Sequence, residues 1–227
     1  LPADGAVLAR RYGAYLFDLD GTLIDSAPDI NGALNAALTA GGYPAVAEEL
    51  TRHWVGFGSR VLLEQALAHH DASERIGDTA HVDHLLAVFI DYYRAHIADS
   101  SRVYPGVVAG LAGLTARGAQ LAVVTNKLEG LSVQLLQALD LARFFGAIVG
   151  GDTLPQRKPD AAPARHACRT LGVALSDSLF VGDSKTDVDT ARAAGCPVVC
   201  VRGGYNHGTP AAALGADAVI DSLTALL

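Results

Sequence analysis

The chain has 227 residues, half of them hydrophobic, and a formal net charge of −7. That length holds one domain of ordinary size, or a core domain with a smaller insert, and that apolar content excludes global disorder. The acidic balance argues against a nucleic-acid binder or a binder of anionic membranes, which need basic surface, but leaves room for a local basic pocket around a small anion.

Residues 1 to 12 read as a mobile lead-in, and they hold no long apolar run of the secretory kind. After Gly13, the run Ala14-Tyr15-Leu16-Phe17 predicts a buried strand. Asp18 and Asp20 follow it, two residues apart, so their side chains start on one side of the extended chain. Gly21 then allows a turn. Two carboxylates at a strand end are costly unless a cation sits between them. Mg²⁺ suits such a place, because it prefers oxygen ligands and keeps positions for water or phosphate. In open α/β folds the crevice beyond the strand ends is also where ligands bind.

Ser26-Ala27-Pro28-Asp29 gives a helix start, with Ser26 as the N-cap. From residue 27 to residue 97 the pattern is helical, with apolar faces at Ile30, Leu34 and Leu38, at Val61 to Leu67, and at Leu85 to Ile97. No strand-like alternation interrupts it. Strands and helices then alternate. Strands are expected at 119–125, 147–149, 178–181, 197–201 and 218–220, with helices at 107–118, 131–139, 159–171 and 188–194. This pattern implies a parallel sheet with right-handed crossovers and helices on both faces. The expected fold is therefore α/β, a Rossmann-like doubly wound parallel sheet with an all-helical insert.

Cys168, Cys196 and Cys200 are odd in number and lack zinc-type spacing, so they read as buried free thiols of a reducing cytoplasm. No apolar run approaches membrane-spanning length.

Four predicted strand ends carry polar residues able to converge: Asp18-x-Asp20; Thr125-Asn126-Lys127; Arg157-Lys158-Pro159; and Gly182-Asp183-Ser184-Lys185-Thr186-Asp187. Hydrolysis of a phosphate monoester needs a nucleophile in line, an acid on the leaving oxygen, and cationic cover for the phosphoryl oxygens. This set supplies each part.

The stretch Phe17 to Ser26 resembles the first motif of the haloacid dehalogenase superfamily, whose phosphatases carry Asp-x-Asp-Gly-Thr. The helical block resembles the cap inserted after that motif. The resemblance implies a core of residues 1–26 and 99–227 and a cap of residues 27–98. It implies that Asp18 is the nucleophile and forms an aspartyl-phosphate, and that Asp20 is the acid and then the base. Thr125, with Asn126 beside it, is expected to bind the substrate phosphate, and Lys158 to neutralise it. Mg²⁺ is expected between Asp18, the carbonyl of Asp20 and Asp183, with Asp187 ligating through water or orienting Lys158. Dehalogenases lack a second Asp at the position of Asp20, so its presence favours phosphoryl transfer.

The segments Phe17 to Pro28, Trp54 to Gly58, Val124 to Lys127, Gly151 to Pro159 and Gly203 to Gly208 are similar to those of the phosphoglycolate phosphatase family. That similarity implies hydrolysis of 2-phosphoglycolate, with Arg52 or Arg60 of the cap as candidates for its carboxylate. A phosphatase of another small metabolite or of pyrophosphate, and a phosphosugar mutase on the same core, share much of this pattern. A signalling receiver domain would be shorter and would lack the insert. The expected partner is a small phosphorylated metabolite, with no nucleic acid and no membrane, for a monomer or homodimer.

Overall fold

The computed structural model describes residues 4–227, so the part of the expected lead-in on residues 1 to 3 lies outside the described residues. The rest of that lead-in is not loose. Helix α1 (Asp4–Ala9) carries Val7 into the core, and Tyr12 is buried beyond it. These two apolar side chains tie the segment down.

Six parallel strands form the main sheet: β1 (Ala14–Phe17), β4 (Gln120–Val124), β5 (Ala147–Val149), β6 (Ser178–Gly182), β7 (Val198–Val201) and β8 (Ala218–Ile220). Their order across the sheet is β5-β4-β1-β6-β7-β8. Strand β1 is therefore central, with Phe17 opposite Val123 on one side and Val181 on the other. The chain adds strands first to one side of β1 and then to the other, and a crevice opens where the order reverses.

Alternation along each strand splits the core into two layers. Tyr15, Phe17, Leu121, Val123, Leu179, Val181 and Val199 face one way. Leu16, Ala122, Val124, Phe180, Val198 and Cys200 face the other, under helices α8 (Ala162–Leu171) and α9 (Lys185–Ala194). Both faces are covered, so the strands are apolar at nearly every position. Burying each large apolar side chain contributes roughly 1.5–3 kcal/mol. All three cysteines are buried and free. Helices α6 (Val107–Ala116) and α7 (Glu129–Ala138) complete the first layer through Leu111, Leu114, Leu131 and Leu135.

Between β1 and β4 stands the helical insert: α2 (Ala27–Ala40), α3 (Glu48–Trp54), α4 (Ser59–His69) and α5 (Thr79–Ala95). Ile30, Leu34, Leu38, Leu63, Leu67, Leu85 and Phe89 meet in its interior. Two short strands, β2 (Ile24–Asp25) and β3 (Arg102–Val103), pair antiparallel where the chain leaves and re-enters the core. Two-residue strands carry no readable periodicity, and this pair is absent from the sequence-based expectation. Buried Asp29 holds the exit and return together, accepting from the amides of Ser100 at 2.9 Å and Ser101 at 2.7 Å, and from the Ser101 hydroxyl at 2.6 Å. Among the described residues, no helix is long and apolar enough to cross a membrane.

Candidate active site

Asp18 directly follows β1, and its amide donates to the carbonyl of Val181 at 2.9 Å, which continues the sheet pairing by one residue. Its side chain is thereby aimed into the crevice. Asp183 follows β6, and Asp187 lies in the first turn of α9. One oxygen of each of these three carboxylates lies within 4.8 Å of the others. Lys158 reaches them from the segment after β5. Its Nζ lies 2.8 Å from Asp18 Oδ1 and 2.7 Å from Asp187 Oδ1.

The acids are held from behind. Asp187 Oδ2 accepts from the amides of Asp183 and Ser184, each at 3.1 Å, and from the Ser184 hydroxyl at 2.8 Å. This is a capping box that fixes the start of α9 and the acid together. Asp183 accepts from Thr22 Oγ1 at 2.7 Å and from the amide of Tyr205 at 2.6 Å. Gly21 makes that approach possible. Its φ is +86°, and a Cβ there would lie 2.5 Å from Asp183 Oδ2.

Burial and the neighbouring Asp187 push the Asp18 carboxyl up to about 7, against the opposing pull of Lys158. Burial, then Asp187 and Asp18, raise Asp183 well above the ordinary carboxylate range. Lys158 goes the other way. Burial works against its charge, but Asp18 and Asp187 outweigh it and its pKa is raised. Three buried carboxylates thus have a single ammonium among them, and it pairs with Asp18 and Asp187 alone. That deficit of positive charge, lined with hard oxygen donors, fits a divalent cation, and the residues able to hold one are Asp18, Asp183 and Asp187.

Asp20 stands beside this centre with its own partners. Ser26 Oγ donates to its Oδ1 at 2.5 Å, and Lys127 Nζ lies 2.9 Å from both of its oxygens. Ser26 does sit at the N-cap position of α2, but its hydroxyl serves Asp20 and makes no cap bond. Lys127 is buried over the ring of Tyr93 from α5, 4.7 Å from its centroid. Thr125 follows β4, buried, and its Oγ1 accepts from the amide of Lys127 at 3.2 Å, leaving the hydroxyl proton free to donate.

Asp18, Asp20, Thr125, Asn126, Lys127 and Tyr93 line one cavity, of about 50 Å³, between the insert and the sheet. Ile30, Val55, Leu62 and Phe89 form its apolar wall on the insert side.

Of the residues expected at the site, Asp18, Asp20, Thr125, Lys158, Asp183 and Asp187 come together. Asn126 lines the cavity, but its amide group is spent on the carbonyls of Gly56 at 3.0 Å and Lys158 at 3.2 Å. A phosphate could meet it only through its backbone N–H. Arg52 and Arg60 do not reach the cavity. Arg52 pairs with Asp25 and Glu48, and Arg60 pairs with Asp83 on an exposed face. Both are drawn off by carboxylates nearer to hand. Lys127, Ser26, Thr22 and Tyr205 take parts that sequence reasoning did not give them. For Lys127 the signal was present: it stands two residues beyond Thr125 at the end of a strand.

A parallel sheet with an all-helical cap after its first strand, and acids gathered at its central strand ends, define a capped α/β hydrolase. The haloacid dehalogenase-like hydrolase family model matches residues 15–201, and the chain belongs to that family. Within it the chain is similar to phosphatases. It is 44% identical over 216 residues to a phosphoglycolate phosphatase of Pseudomonas putida, covering 93% of this chain and 77% of the relative. It is 48% identical over 193 residues to a phosphoglycolate phosphatase of Mesorhizobium japonicum, covering 84% and 82%. A solved structure from Haemophilus somnus, described as a predicted phosphoglycolate phosphatase, superposes with a TM-score of 0.86 at 34% identity, covering 94% of this chain and 96% of that one. The chain is a phosphoric monoester hydrolase of this family.

Proposed function

We propose that the protein hydrolyses 2-phosphoglycolate to glycolate and phosphate, in a Mg²⁺-dependent reaction that passes through a phosphorylated Asp18. The reading rests above all on one observation: Asp18, Asp183 and Asp187 converge within 4.8 Å, and Asp18 also lines the cavity beneath the cap. Relatives that carry this activity in their names support the substrate.

Mg²⁺ would be held by Asp18, Asp183 and the carbonyl of Asp20, with Asp187 anchoring Lys158. When bound it offsets the crowded negative charge and screens phosphorus for an anionic nucleophile. A carboxylate oxygen of Asp18 attacks phosphorus. The bond from phosphorus to the ester oxygen breaks, and that oxygen takes a proton from the Asp20 carboxyl. Lys158, fixed by Asp187, steadies Asp18 and covers the phosphoryl oxygens. The Thr125 hydroxyl and the backbone N–H of Asn126 donate to the same oxygens. Glycolate leaves. A water then gives a proton to Asp20 and attacks phosphorus, the bond to Asp18 breaks, and phosphate is released. Both acids return to their starting states.

The cavity accepts a small leaving group in this position of the cap, since about 50 Å³ is a few waters' worth of space. Residues 27–98 act as a lid that keeps bulk water from the acyl-phosphate.

A phosphate-release panel tests the reading, run with Mg²⁺ and with EDTA, on 2-phosphoglycolate, glucose 1-phosphate and pyrophosphate. The expected result is turnover of 2-phosphoglycolate that EDTA abolishes. Turnover undiminished by EDTA would contradict the metal, and a stronger preference for another ester would contradict the substrate.

A further inference from the structure

We infer that Lys127 selects for a carboxylate on the leaving group of the substrate. The inference deepens the phosphoglycolate reading above and rests on it. Lys127 is the only cation among the residues that line the cavity. Lys158 is committed to Asp18 and Asp187, and Arg52 and Arg60 face other carboxylates outside it.

An ammonium carries three N–H donors. Two of those on Lys127 point to the oxygens of Asp20, each at 2.9 Å, which leaves one. The ester oxygen of the substrate must sit at Asp20 to receive a proton. In 2-phosphoglycolate the carboxylate carbon is two bonds from that oxygen, so the carboxylate falls beside the group that already touches Asp20. Around Lys127 the chamber is mostly apolar, with Ile30, Val55, Leu62, Phe89, Leu128 and Leu131, and its cap side adds only the uncharged Gly56, Gly58 and Ser59. A carboxylate entering such walls without Lys127 would be desolvated and left without a counter-charge. Lys127 removes that penalty, and it gives nothing comparable to an ester whose leaving group is neutral. Its ammonium is held over the Tyr93 ring and against Asp20, so its position does not depend on the substrate.

A bland role would be charge balance for Asp20 alone. The two roles separate when ligands with and without the carboxylate are compared. Ethyl phosphate keeps the chain of 2-phosphoglycolate and replaces the carboxylate with a methyl group. In the Mg²⁺-loaded wild type, kcat/KM for 2-phosphoglycolate exceeds that for ethyl phosphate by about 10²-fold or more, the loss expected when a buried charge pair is left half made. In Lys127→Met that ratio collapses toward one, mainly through KM, and Lys127→Arg recovers part of it. Binding of 3-phosphonopropionate against propylphosphonate, measured by calorimetry, reads the same preference in a variant too slow to assay. A Lys127→Met protein that keeps the wild-type ratio, with both substrates slowed alike, overturns the inference and leaves the phosphoglycolate reading standing. A wild type with no preference for the carboxylate overturns both.

Discussion

Arg52 in the cap and Asp25 in β2 form a two-pronged ion pair, with N···O distances of 2.9 and 3.0 Å. Asp25 also accepts from the hydroxyl of Tyr205 at 2.6 Å. That hydroxyl in turn accepts from the amides of Ser26 at 2.9 Å and Ala27 at 3.0 Å, while the Tyr205 amide holds Asp183. One buried tyrosine therefore joins the start of the cap to an acid of the buried carboxylate cluster. Removing its hydroxyl strands two buried amides, whereas Arg52 is partly exposed and its loss is cushioned by water. Tyr205→Phe is expected to cost about 1–3 kcal/mol in urea denaturation. Arg52→Ala is expected to cost about 1 kcal/mol or less. The reverse order would contradict this ranking.

Asp20 as the acid makes a prediction about leaving groups. Replacing it with Asn removes the proton that an alkoxide requires but that a good leaving group does not. Asp20→Asn should slow 2-phosphoglycolate hydrolysis by about 10²–10⁴-fold. It should slow p-nitrophenyl phosphate much less, since nitrophenolate departs unaided. Equal losses on both esters, in parallel steady-state assays, would deny Asp20 that role.

The cluster of buried acids sets a pH dependence of stability. Asp18 is raised to about 7, chiefly by burial and by Asp187, from an unfolded value of 3.8. A raised carboxyl binds its proton more tightly in the folded state than in the unfolded one. Its contribution is thus whole below about 4 and is lost as pH rises through about 7. Asp183 is raised too and acts in the same direction. In EDTA, the melting temperature should fall between pH 5 and 8. Mg²⁺ held as proposed would bind the ionised acids, so the stabilisation it adds should grow over the same range. A melting temperature that climbs with pH in EDTA would contradict the assignment.

Lys158 is the counter-charge of the same centre. Exchanging it for Met leaves Asp18 and Asp187 facing each other, buried and without a cation. The expected cost is about 3–5 kcal/mol of stability without metal. Part of it should return with added Mg²⁺, measured as a shift of the urea midpoint. A variant as stable as the wild type in EDTA would show that the acids are less crowded than this geometry implies.

What the sequence disclosed follows from how local each signal is. The strand ends were legible because an apolar run followed directly by Asp18, Thr125 or Asp183 is a contiguous pattern. The helical insert was legible because seventy residues pass with no alternation. The β2–β3 pair was not, since two residues have no period. The fate of Arg52 and Arg60 was not, because which carboxylate a long side chain finds is decided in three dimensions by Asp25 and Asp83. Asn126 was named for its proximity to Thr125, yet its amide closes a gap between Gly56 and Lys158, a contact between segments far apart in the chain. Residues 4–12 read as loose because a single turn-and-a-half of helix owes its order to Val7 and Tyr12 finding the core.

The most direct measurement is the Mg²⁺-dependent turnover of 2-phosphoglycolate by Asp18→Asn, beside a melting curve that shows the variant folded. The variant should be at least as stable as the wild type in EDTA, because a neutral amide relieves the crowding around Asp187. Its turnover should fall by more than about 10³-fold, the scale on which loss of a nucleophile acts. A folded Asp18→Asn protein that releases phosphate within tenfold of the wild-type rate would contradict the account at its centre.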